Sequence, residues 1–568
     1  MKIYCYTTHF ILSFFFVYFN YSQSAISQTL PQPIIPDSPP LDEPELLPPP
    51  EELLQPLPAP QTPEESILEI PGTIIVTEFN FVGSTVFTNQ QLQTIIQDYL
   101  NRPISFTELL EAQQKITQFY QDQGYITSGA ILPPQTLDAG RITIEIIEGT
   151  VEEIQISGLE RLHSGYIRSR IERGIKAPLN QNKLLETLQL LQLNPLIKRL
   201  SVELSAGSQI GQSQLIIQLE EADAMSAKLA IDNQRSPSVG STRLLSEITH
   251  NNLTGLGDRL NVSYYNTEGS NTLNNFSYTL PINSNNATIS LTHRRTESHI
   301  IEAPFNELDI DSNSQTYQLS YRQPLYLTPN TEFAIGITAA IQDTETLLEN
   351  EPFPLSLGAN DQGKIRTSVI RLFQDYSTRS AQTALAIRSQ FSFGTELFNA
   401  TINNNLPDSR FIAWRGQIQY LRLLAPNFIW LLRSDLQLAN QSLLPQEQFS
   451  LGGASTIRGY RQDTLLGDNG VFLSTELRVP IFTISDWNMV VQLTPFIDGG
   501  TVWNQEKMED IDLDYNTIFS TGLGLRLQIQ DNLNAQIEWG IPLIKLETEG
   551  ESLQENGVHF LIQYQVNF

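Results

Sequence analysis

The chain has 568 residues, 62 of them acidic and 34 basic, which gives a formal net charge of −28 at pH 7. This balance excludes a nucleic-acid-binding protein, because such a protein needs a basic surface. The single cysteine is Cys5, so a disulfide framework and a cysteine-based metal site are excluded as well.

Residues 1–27 predict a secretory signal peptide. An apolar run over residues 10–19 follows the single Lys2, and Ala25-Ile26-Ser27 offers a small-residue cleavage site. This run is too short to span a bilayer, and no later apolar run approaches the roughly 18 residues that a membrane helix needs. Cleavage would remove Cys5, and any membrane role of the mature chain must then rest on strands.

Residues 28–71 predict a disordered linker rich in proline and acidic residues. Residues 31–71 hold 14 of the 32 prolines, and no Lys or Arg occurs from residue 3 to residue 101. Proline removes backbone donors and like charges repel, so this arm should be an extended spacer with a reach on the order of 100 Å. Because prolines interrupt it throughout, we expect no plug helix there.

Two small domains are predicted at residues 72–149 and 150–221, and they are related as repeats. The run that ends at Gly83 resembles the run that ends at Gly158, at a period of 158 − 83 = 75 residues. Alternating apolar residues predict closing strands at residues 126–132 and Arg141–Ile147 in the first copy, and at 200–204 and 215–219 in the second. Both copies have the order β-α-α-β-β.

Capping residues define where the helices of these domains begin. Thr88 with Gln91, and Ser105 with Glu108, have the spacing of two capping boxes, and Asn180 is expected to cap a helix in the second copy. Apolar spacing then predicts which side chains of the second helix are buried, namely Leu109, Ala112, Ile116 and Phe119.

The remaining 568 − 221 = 347 residues, 222–568, predict one transmembrane β-barrel. At about 20 residues per strand and its connections, this length gives about 16 antiparallel strands. Apolar and polar residues alternate in many short runs, up to the terminal aromatic residue Phe568. The alternative is a soluble β-sandwich, which explains the signal peptide and the terminal aromatic residue less well.

Two motifs in the barrel region are candidates for a functional site. In residues 491–498, Asp498 lies on the opposite face from the apolar residues, so it faces the lumen if the apolar face contacts lipid. A carboxylate there requires a cation, and Arg458 on a glycine-containing loop is the candidate; the alternative is a surface Arg and an unrelated Asp. The motifs are Ile457-Arg458-Gly459-Tyr460 and Phe496-Ile497-Asp498-Gly499-Gly500.

The sequence contains no pattern that predicts catalysis, a cofactor or a metal. Gly255-Leu256-Gly257 and Gly522-Leu523-Gly524 are expected to be turn and strand glycines rather than phosphate loops. The six histidines have no metal-ligand spacing: His9, His163, His250, His293, His299 and His559. We therefore expect a protein that is not an enzyme and has neither cofactor nor metal.

The β-α-α-β-β order resembles the POTRA domain, and one signature narrows the family. It resembles the segment that joins the two POTRA domains of two-partner secretion transporters, the TpsB-type exporters of haemolysins and filamentous haemagglutinins. The barrel motifs are similar to those of the wider superfamily of outer-membrane assembly factors, in which Val usually stands where this chain has Ile457. The signature residues are Gly124, Tyr125, Pro133, Pro134, Gln135, Glu148, Gly149 and Gly158.

The resemblance implies a protein of the bacterial outer membrane, with the linker and the POTRA domains in the periplasm. An unfolded TpsA-type partner protein would be captured by the POTRA domains, by strand addition at an exposed sheet edge near the closing strands, and exported through the barrel. Residues 457–460 would form a lid loop that Arg458 pins to Asp498. Phe568 would be the C-terminal signal read by the barrel-assembly machinery. A barrel-assembly insertase and a passive porin remain as alternatives.

Overall fold

The computed structural model describes residues 53–55, 72–136, 140–405, 407–505, 516–546, 550 and 552–568. The predicted signal peptide, most of the predicted linker and the expected absence of a plug helix lie outside these residues. Among the described residues, no helix is both long and apolar enough to cross a bilayer.

Two α+β domains precede the barrel. The second has the predicted β-α-α-β-β order, and the first adds to this order a short two-stranded sheet, one strand of which lies between its two helices. Their strands, with one short strand before them, are β1 Leu54–Gln55, β2 Thr73–Ile75, β3 Glu78–Val82, β4 Pro103–Ser105, β5 Gly129–Ile131, β6 Arg141–Ile147, β7 Thr150–Ser157, β8 Ile197–Ala206 and β9 Gln212–Glu221. Their helices are α1 Asn89–Ile95, α2 Phe106–Asp122, α3 Ser164–Ile171 and α4 Gln181–Gln192, with a 3₁₀ turn at Gln97–Tyr99.

The helix starts are where the sequence predicts them. Both capping boxes are formed, and the side chain of Asn180 accepts from the backbone at the start of α4. The prediction of the buried face of α2 is wrong at one position. Tyr120 is the fourth buried residue of this face, and Phe119 is only partly buried. Tyr120 lies four residues after Ile116, whereas Phe119 faces Phe87, with 4.7 Å between ring centroids.

Equivalent glycines turn the chain after the first strand of each domain. Gly83 follows β3 and has φ +94°, and Gly158 follows β7 and has φ +84°. A Cβ atom on either residue would collide with a carbonyl oxygen of the neighbouring closing strand, that of Ile146 or Leu219. The repeat seen in the sequence therefore has a steric cause.

The closing strands do not provide the free sheet edges. The first sheet has the order β3-β6-β5 and the second has the order β1-β8-β9-β7, so β6 and β9 are central. The free edges of the POTRA-like sheets are on other strands, because β3 pairs in parallel with β6 and β7 pairs in parallel with β9.

Three residues of the predicted disordered linker are ordered, which corrects that prediction. β1 pairs in parallel with β8, and Leu53 and Leu54 are 2% and 7% exposed in the core of the second domain. Burial of the two leucine side chains offsets the conformational entropy that this short segment loses when it becomes ordered.

A closed antiparallel barrel of 16 strands follows, which confirms the predicted fold class. Its strands are β10 Met225–Asp232, β11 Arg243–Asn251, β12 Arg259–Asn266, β13 Ser270–Pro281, β14 Thr288–His299, β15 Ile310–Leu327, β16 Thr331–Leu348, β18 Lys364–Arg379, β19 Thr383–Thr395, β20 Ile412–Ala425, β21 Phe428–Ala439, β24 Asn469–Ile484, β25 Met489–Trp503, β26 Asn516–Ile529, β27 Leu533–Pro542 and β28 Val558–Asn567. Three short strands lie in loops, namely β17 Glu351–Pro352, β22 Phe449–Leu451 and β23 Leu465–Gly467. Short 3₁₀ turns occur at Pro237–Val239, Phe305–Leu308, Leu397–Asn399, Pro445–Glu447 and Ser485–Trp487.

The two rims of the barrel differ. Short turns such as residues 328–330 and 426–427 lie at the rim beside the small domains, which we call the proximal rim, and longer loops lie at the distal rim. Along the strands, exposed apolar side chains form an outward band, as expected for a barrel in lipid. Examples are Leu319, Ile337, Leu473, Ile497 and Leu523.

Candidate functional site

The loop between β21 and β24, residues 440–468, leaves the distal rim and folds into the lumen. β22 and β23 pair to form its stem. Ile457 near its tip is fully buried against apolar side chains of the stem and of the barrel wall, which are Phe449, Leu451, Phe472, Val502 and Ile518. The inward position of the loop is therefore supported by an apolar core as well as by charge.

Arg458 and Asp498 are in direct contact. Arg458 Nε donates to Asp498 Oδ2 over 2.8 Å, Nη2 donates to Oδ1 over 2.9 Å, and the backbone N–H of Arg458 donates to Oδ2 over 3.1 Å. The two side chains are 1% and 0% exposed. This fork-to-carboxylate geometry combines charge with a defined orientation.

Arg458 has two further carboxylate partners that the motifs did not identify. Its Nη1 donates to Glu538 Oε1 over 2.7 Å and also to Glu476 Oε2. Ser474 on the same strand as Glu476 donates to Asp498 over 2.7 Å. A sequence signal existed, because these polar residues alternate with outward side chains. Glu538 stands between Ile537 and Trp539, and Leu473 and Leu477 flank the run from Ser474 to Glu476.

Glycine allows the loop tip to approach the barrel wall. Gly459 has φ +95°, and a Cβ on it would lie 2.8 Å from the backbone carbon of Gly540 in β27. The N–H of Gly459 donates to His559 Nε2 over 3.3 Å. The hydroxyl of Tyr460 lies 2.9 Å from the carbonyl oxygen of Phe519 and 2.7 Å from that of Ile544.

The residues around Asp498 divide between the two faces of β25. The Phe496 ring lies on the lumen face, and its centroid is 3.5 Å from the guanidinium carbon of Arg458. Gly500 also lies inside, where a Cβ would crowd Ile457. Gly499 lies on the outer face, where a Cβ would collide with the ring of Phe519. Only the inward members of this motif therefore contact the loop.

A second ion pair ties the loop to the distal rim. Arg461 Nη1 and Nη2 donate to the two carboxylate oxygens of Glu302 over 2.9 and 2.7 Å, and Nη1 lies 3.3 Å from Glu555. Glu302 lies between β14 and β15, and Glu555 between β27 and β28. These contacts hold the loop against two distal loops.

Two of the signature residues, Gly124 and Gly149, lie at the contact between the two small domains. The carbonyl of Gly124 accepts from Gln181 N over 2.8 Å, and that of Gly149 accepts from Leu179 N over 2.7 Å. Gly158 is the turn glycine described above, and the Tyr125 ring packs 5.9 Å from that of Phe87. Gly124 and Gly149 therefore join the domains through backbone contacts.

Other members of the signature complete the first sheet. Pro133 and Pro134 follow β5 and have no backbone N–H to donate to the neighbouring strand. The side-chain amide of Gln135 makes the hydrogen bonds to β6 that a longer β5 would have made. Gln135 Nε2 donates to Thr143 O and its Oε1 accepts from Thr143 N, both over 2.8 Å. Glu148 Oε1 accepts from Thr85 N over 2.7 Å.

The second domain docks on turns of the proximal rim. His163 N donates to the carbonyl of Gly255 over 2.9 Å. Glu221 at the end of β9 accepts from the backbone N–H groups of residues 160–162. Burial would raise the pKa of Glu221, but these donors outweigh it and lower the pKa. Gly255 and Gly257 are thus turn glycines, and Gly522 and Gly524 lie in β26.

One further group of ligand-type side chains lies near the distal rim. Pairing of β14 with β15 places His299 beside Asp311, and His299 Nδ1 lies 3.0 Å from Asp311 and 3.8 Å from Asp309. Histidine spacing along the sequence could not reveal this group, because strand pairing brings it together.

The architecture defines a class: a POTRA-plus-barrel protein of the outer membrane whose pore is occupied by an inward loop. The family model described as haemolysin secretion/activation protein ShlB/FhaC/HecB matches residues 211–527, and the ShlB-type POTRA domain model matches residues 74–149. The chain belongs to this family of outer-membrane secretion transporters.

Relatives named as transporters agree with this assignment. The chain is 23% identical over 408 residues to the heme/hemopexin transporter protein HuxB of Haemophilus influenzae, which covers 70% of each chain. It is 23% identical over 487 residues to the outer membrane transporter CdiB of Escherichia coli, over 81% of this chain and 78% of the relative.

Solved structures show the same fold. CdiB from Escherichia coli superposes with a TM-score of 0.67 at 20% identity, over 89% of this chain and 93% of CdiB. BamA from Haemophilus ducreyi lacking POTRA domains 1–3 gives a TM-score of 0.53 at 16% identity, over 87% and 100%. The family match, together with this fold, shows that the protein is a transporter that exports a partner protein through an outer-membrane barrel.

Proposed function

We propose that the POTRA domains capture an unfolded TpsA-type partner by strand addition, and that residues 440–468 act as a lid that the partner must displace. The partner would fold outside the cell after threading the lumen, so the chain itself needs neither nucleotide nor cofactor. The observation that carries this proposal is the outer edge of β8, which already holds an extended segment of the chain itself.

The β8 edge accepts a strand with apolar side chains. Leu54 lies opposite Val202 and Gln55 lies opposite Glu203, in a parallel ladder. Strand addition derives affinity from backbone hydrogen bonds and specificity from pockets for alternate side chains. The pocket here takes Leu53 and Leu54 into the domain core. A partner segment that uses this edge must displace β1.

The lid is held by charge at its tip and by the stem at its base. A hydrogen bond between charged groups contributes about 1.5–3 kcal/mol, and Arg458 makes such bonds to three carboxylates. This network makes the inward position the resting state. Movement of the lid requires that these bonds break together, and a partner segment in the lumen would compensate for their loss.

Insertion of the barrel is proposed to use its C-terminal residue. Phe568 is 58% exposed, and its backbone exchanges hydrogen bonds with Met225 over 2.9 and 3.0 Å where the first and last strands meet. The outward apolar band supplies the contact with outer-membrane lipid. An exposed terminal aromatic residue next to this seam would be accessible to the barrel-assembly machinery before the barrel closes.

The test measures binding of the partner's N-terminal secretion domain, unfolded or folded, to the full-length transporter in lipid nanodiscs. Leu53→Asp with Leu54→Asp should release β1 and strengthen binding of the unfolded form several-fold. The matched control is Leu46→Asp with Leu47→Asp, which makes the same change in the same Glu-Leu-Leu context of the arm.

A disulfide that fixes β1 on β8, and that can be reduced again, should have the opposite effect on partner binding. Gln55→Cys with Glu203→Cys places cysteines at paired positions, and Cys5 in the predicted signal peptide is the only natural cysteine. Oxidation should hold β1 in place and prevent capture, and reduction should restore it. If the released and locked variants both bind like wild type, capture occurs at another edge or in the barrel.

A further inference from the structure

A basic cavity lies at the joint between the second POTRA domain and the proximal rim. It has a volume of about 430 Å³ and lies between the end of α3, one face of α4 and the turn between β13 and β14. Glu186 also lines it, but cations predominate: Arg170, Arg173, Lys176 and Lys183. In a chain with a net charge of −28, this concentration of positive charge is unusual.

Arg170 is a buried cation with an unused donor. It is 7% exposed, its guanidinium carbon lies 3.4 Å from the centre of the Tyr166 ring, and its Nε donates to Asn286 Oδ1 over 3.0 Å. Its Nη1 donates to the carbonyl of Tyr166, and its Nη2 is buried without a partner. Burial, and to a smaller extent the charge of Arg173, lowers the pKa of Arg170.

Protein carboxylates do not neutralise this group. Within the described ranges, none of the four cations forms an ion pair, although Arg173 donates to the carbonyl of Ser284 over 3.0 Å. A buried charge without a counter-charge is unfavourable, and a guanidinium with a free N–H matches the oxygens of a phosphate group. An anionic ligand would satisfy both requirements.

The position of the cavity indicates where such a ligand comes from. The turn that closes it is held by the bond from Ile282 N to Ala287 O, over 2.8 Å. Ile282 and Ile289, on either side of this turn, are 45% and 40% exposed and end the outward apolar band. The cavity therefore lies at the depth where the apolar layer meets the headgroups on the periplasmic side.

We propose that this cavity binds the phosphate of an anionic phospholipid of the inner leaflet. Arg170 Nη2 and the ammonium groups of Lys176 and Lys183 would donate to the phosphate oxygens. The bound headgroup would join the second POTRA domain to the barrel rim, so the lipid would hold the domain in its docked position.

The test uses the full-length protein in detergent, with mixed micelles of phosphatidylglycerol and phosphatidylcholine, and counts bound lipid by native mass spectrometry. Wild type should retain phosphatidylglycerol in preference to phosphatidylcholine. Lys176→Gln with Lys183→Gln should weaken this binding about thirty-fold, because each Lys or Arg near an anionic surface contributes roughly five-fold.

The matched control removes two exposed cations elsewhere in the POTRA domains, Arg141→Gln with Arg199→Gln, and should bind lipid as wild type does. Both tested lysines are exposed, so the result does not depend on a change to the buried Arg170. The proposal is overturned if all variants retain phosphatidylglycerol equally, or if inorganic phosphate alone displaces it. It is also overturned if the lysine variant loses partner binding but keeps its lipid, because the cavity then holds an acidic partner segment.

Discussion

At the scale of single residues, Arg458 is the centre of a network rather than half of a pair. Asp498, Glu476 and Glu538 come from three different strands and all reach its guanidinium. Arg478 also donates to Glu476, over 3.0 Å. One side chain of the lid therefore joins β24, β25 and β27. Removal of a partner from a buried charge network costs about 3–5 kcal/mol, since the other charges remain buried.

Arg458→Ala should abolish most export while the barrel remains inserted and heat-modifiable. The change removes the ion-pair partner of Asp498 and Glu538, leaves Glu476 with Arg478 alone and disorders the lid in the lumen, but it removes no hydrogen bond between strands. Export is measured as partner protein in the culture medium. The control Arg410→Ala removes another loop arginine that is paired with an aspartate, over 2.6 Å, and should export normally.

A charge exchange distinguishes a network of three carboxylates around Arg458 from a simple pair of Arg458 with Asp498. Arg458→Asp with Asp498→Arg should not restore export, because the new carboxylate would face Glu476 and Glu538. Arg458→Lys should restore part of it, since the charge is kept and the fork is lost. Full recovery in the exchanged double variant would contradict the three-carboxylate arrangement.

At the scale of secondary structure, local chemistry determined what the sequence could predict. Capping boxes fixed the helix starts at Thr88 and Ser105, and alternation placed Asp498 inside the barrel, because both signals lie within a few residues. Pairing partners were not predictable. The central position of β6 and the docking of β1 on β8 depend on contacts between distant segments. Glu476 and Glu538 reach Arg458 for the same reason.

Gln135→Ala should weaken the first POTRA sheet at one defined place. Its amide makes two hydrogen bonds to the Thr143 backbone, so the change should lower the free energy of unfolding by about 1–3 kcal/mol. Hydrogen exchange at the Thr143 amide should become faster. Gln118→Ala, which removes an exposed bond to Asp122, is the control. Unchanged exchange at Thr143 would show that the prolines alone end β5.

At the scale of the whole molecule, one strand connects the POTRA joint with the lid. β14 begins just after Asn286, which accepts from Arg170 of the second POTRA domain. It ends before Glu302, which pairs with Arg461 of the lid loop. The contacts at the POTRA joint and at the lid loop are therefore joined by a single barrel strand, which spans the full height of the wall.

Locking the barrel seam should leave export intact, because the partner is proposed to pass through the lumen. β10 and β28 pair over seven residue pairs, and Leu229 lies opposite Tyr564, both exposed on the outer face. Leu229→Cys with Tyr564→Cys should form a disulfide across this seam. The control is Leu523→Cys with Trp539→Cys, which links the adjacent strands β26 and β27, away from the seam. Both oxidised variants should export equally, measured as partner protein in the medium.

The alternative is an insertase, which must open its seam to release a client sideways. The lumen route would be contradicted if only the seam disulfide abolished export and reduction restored it.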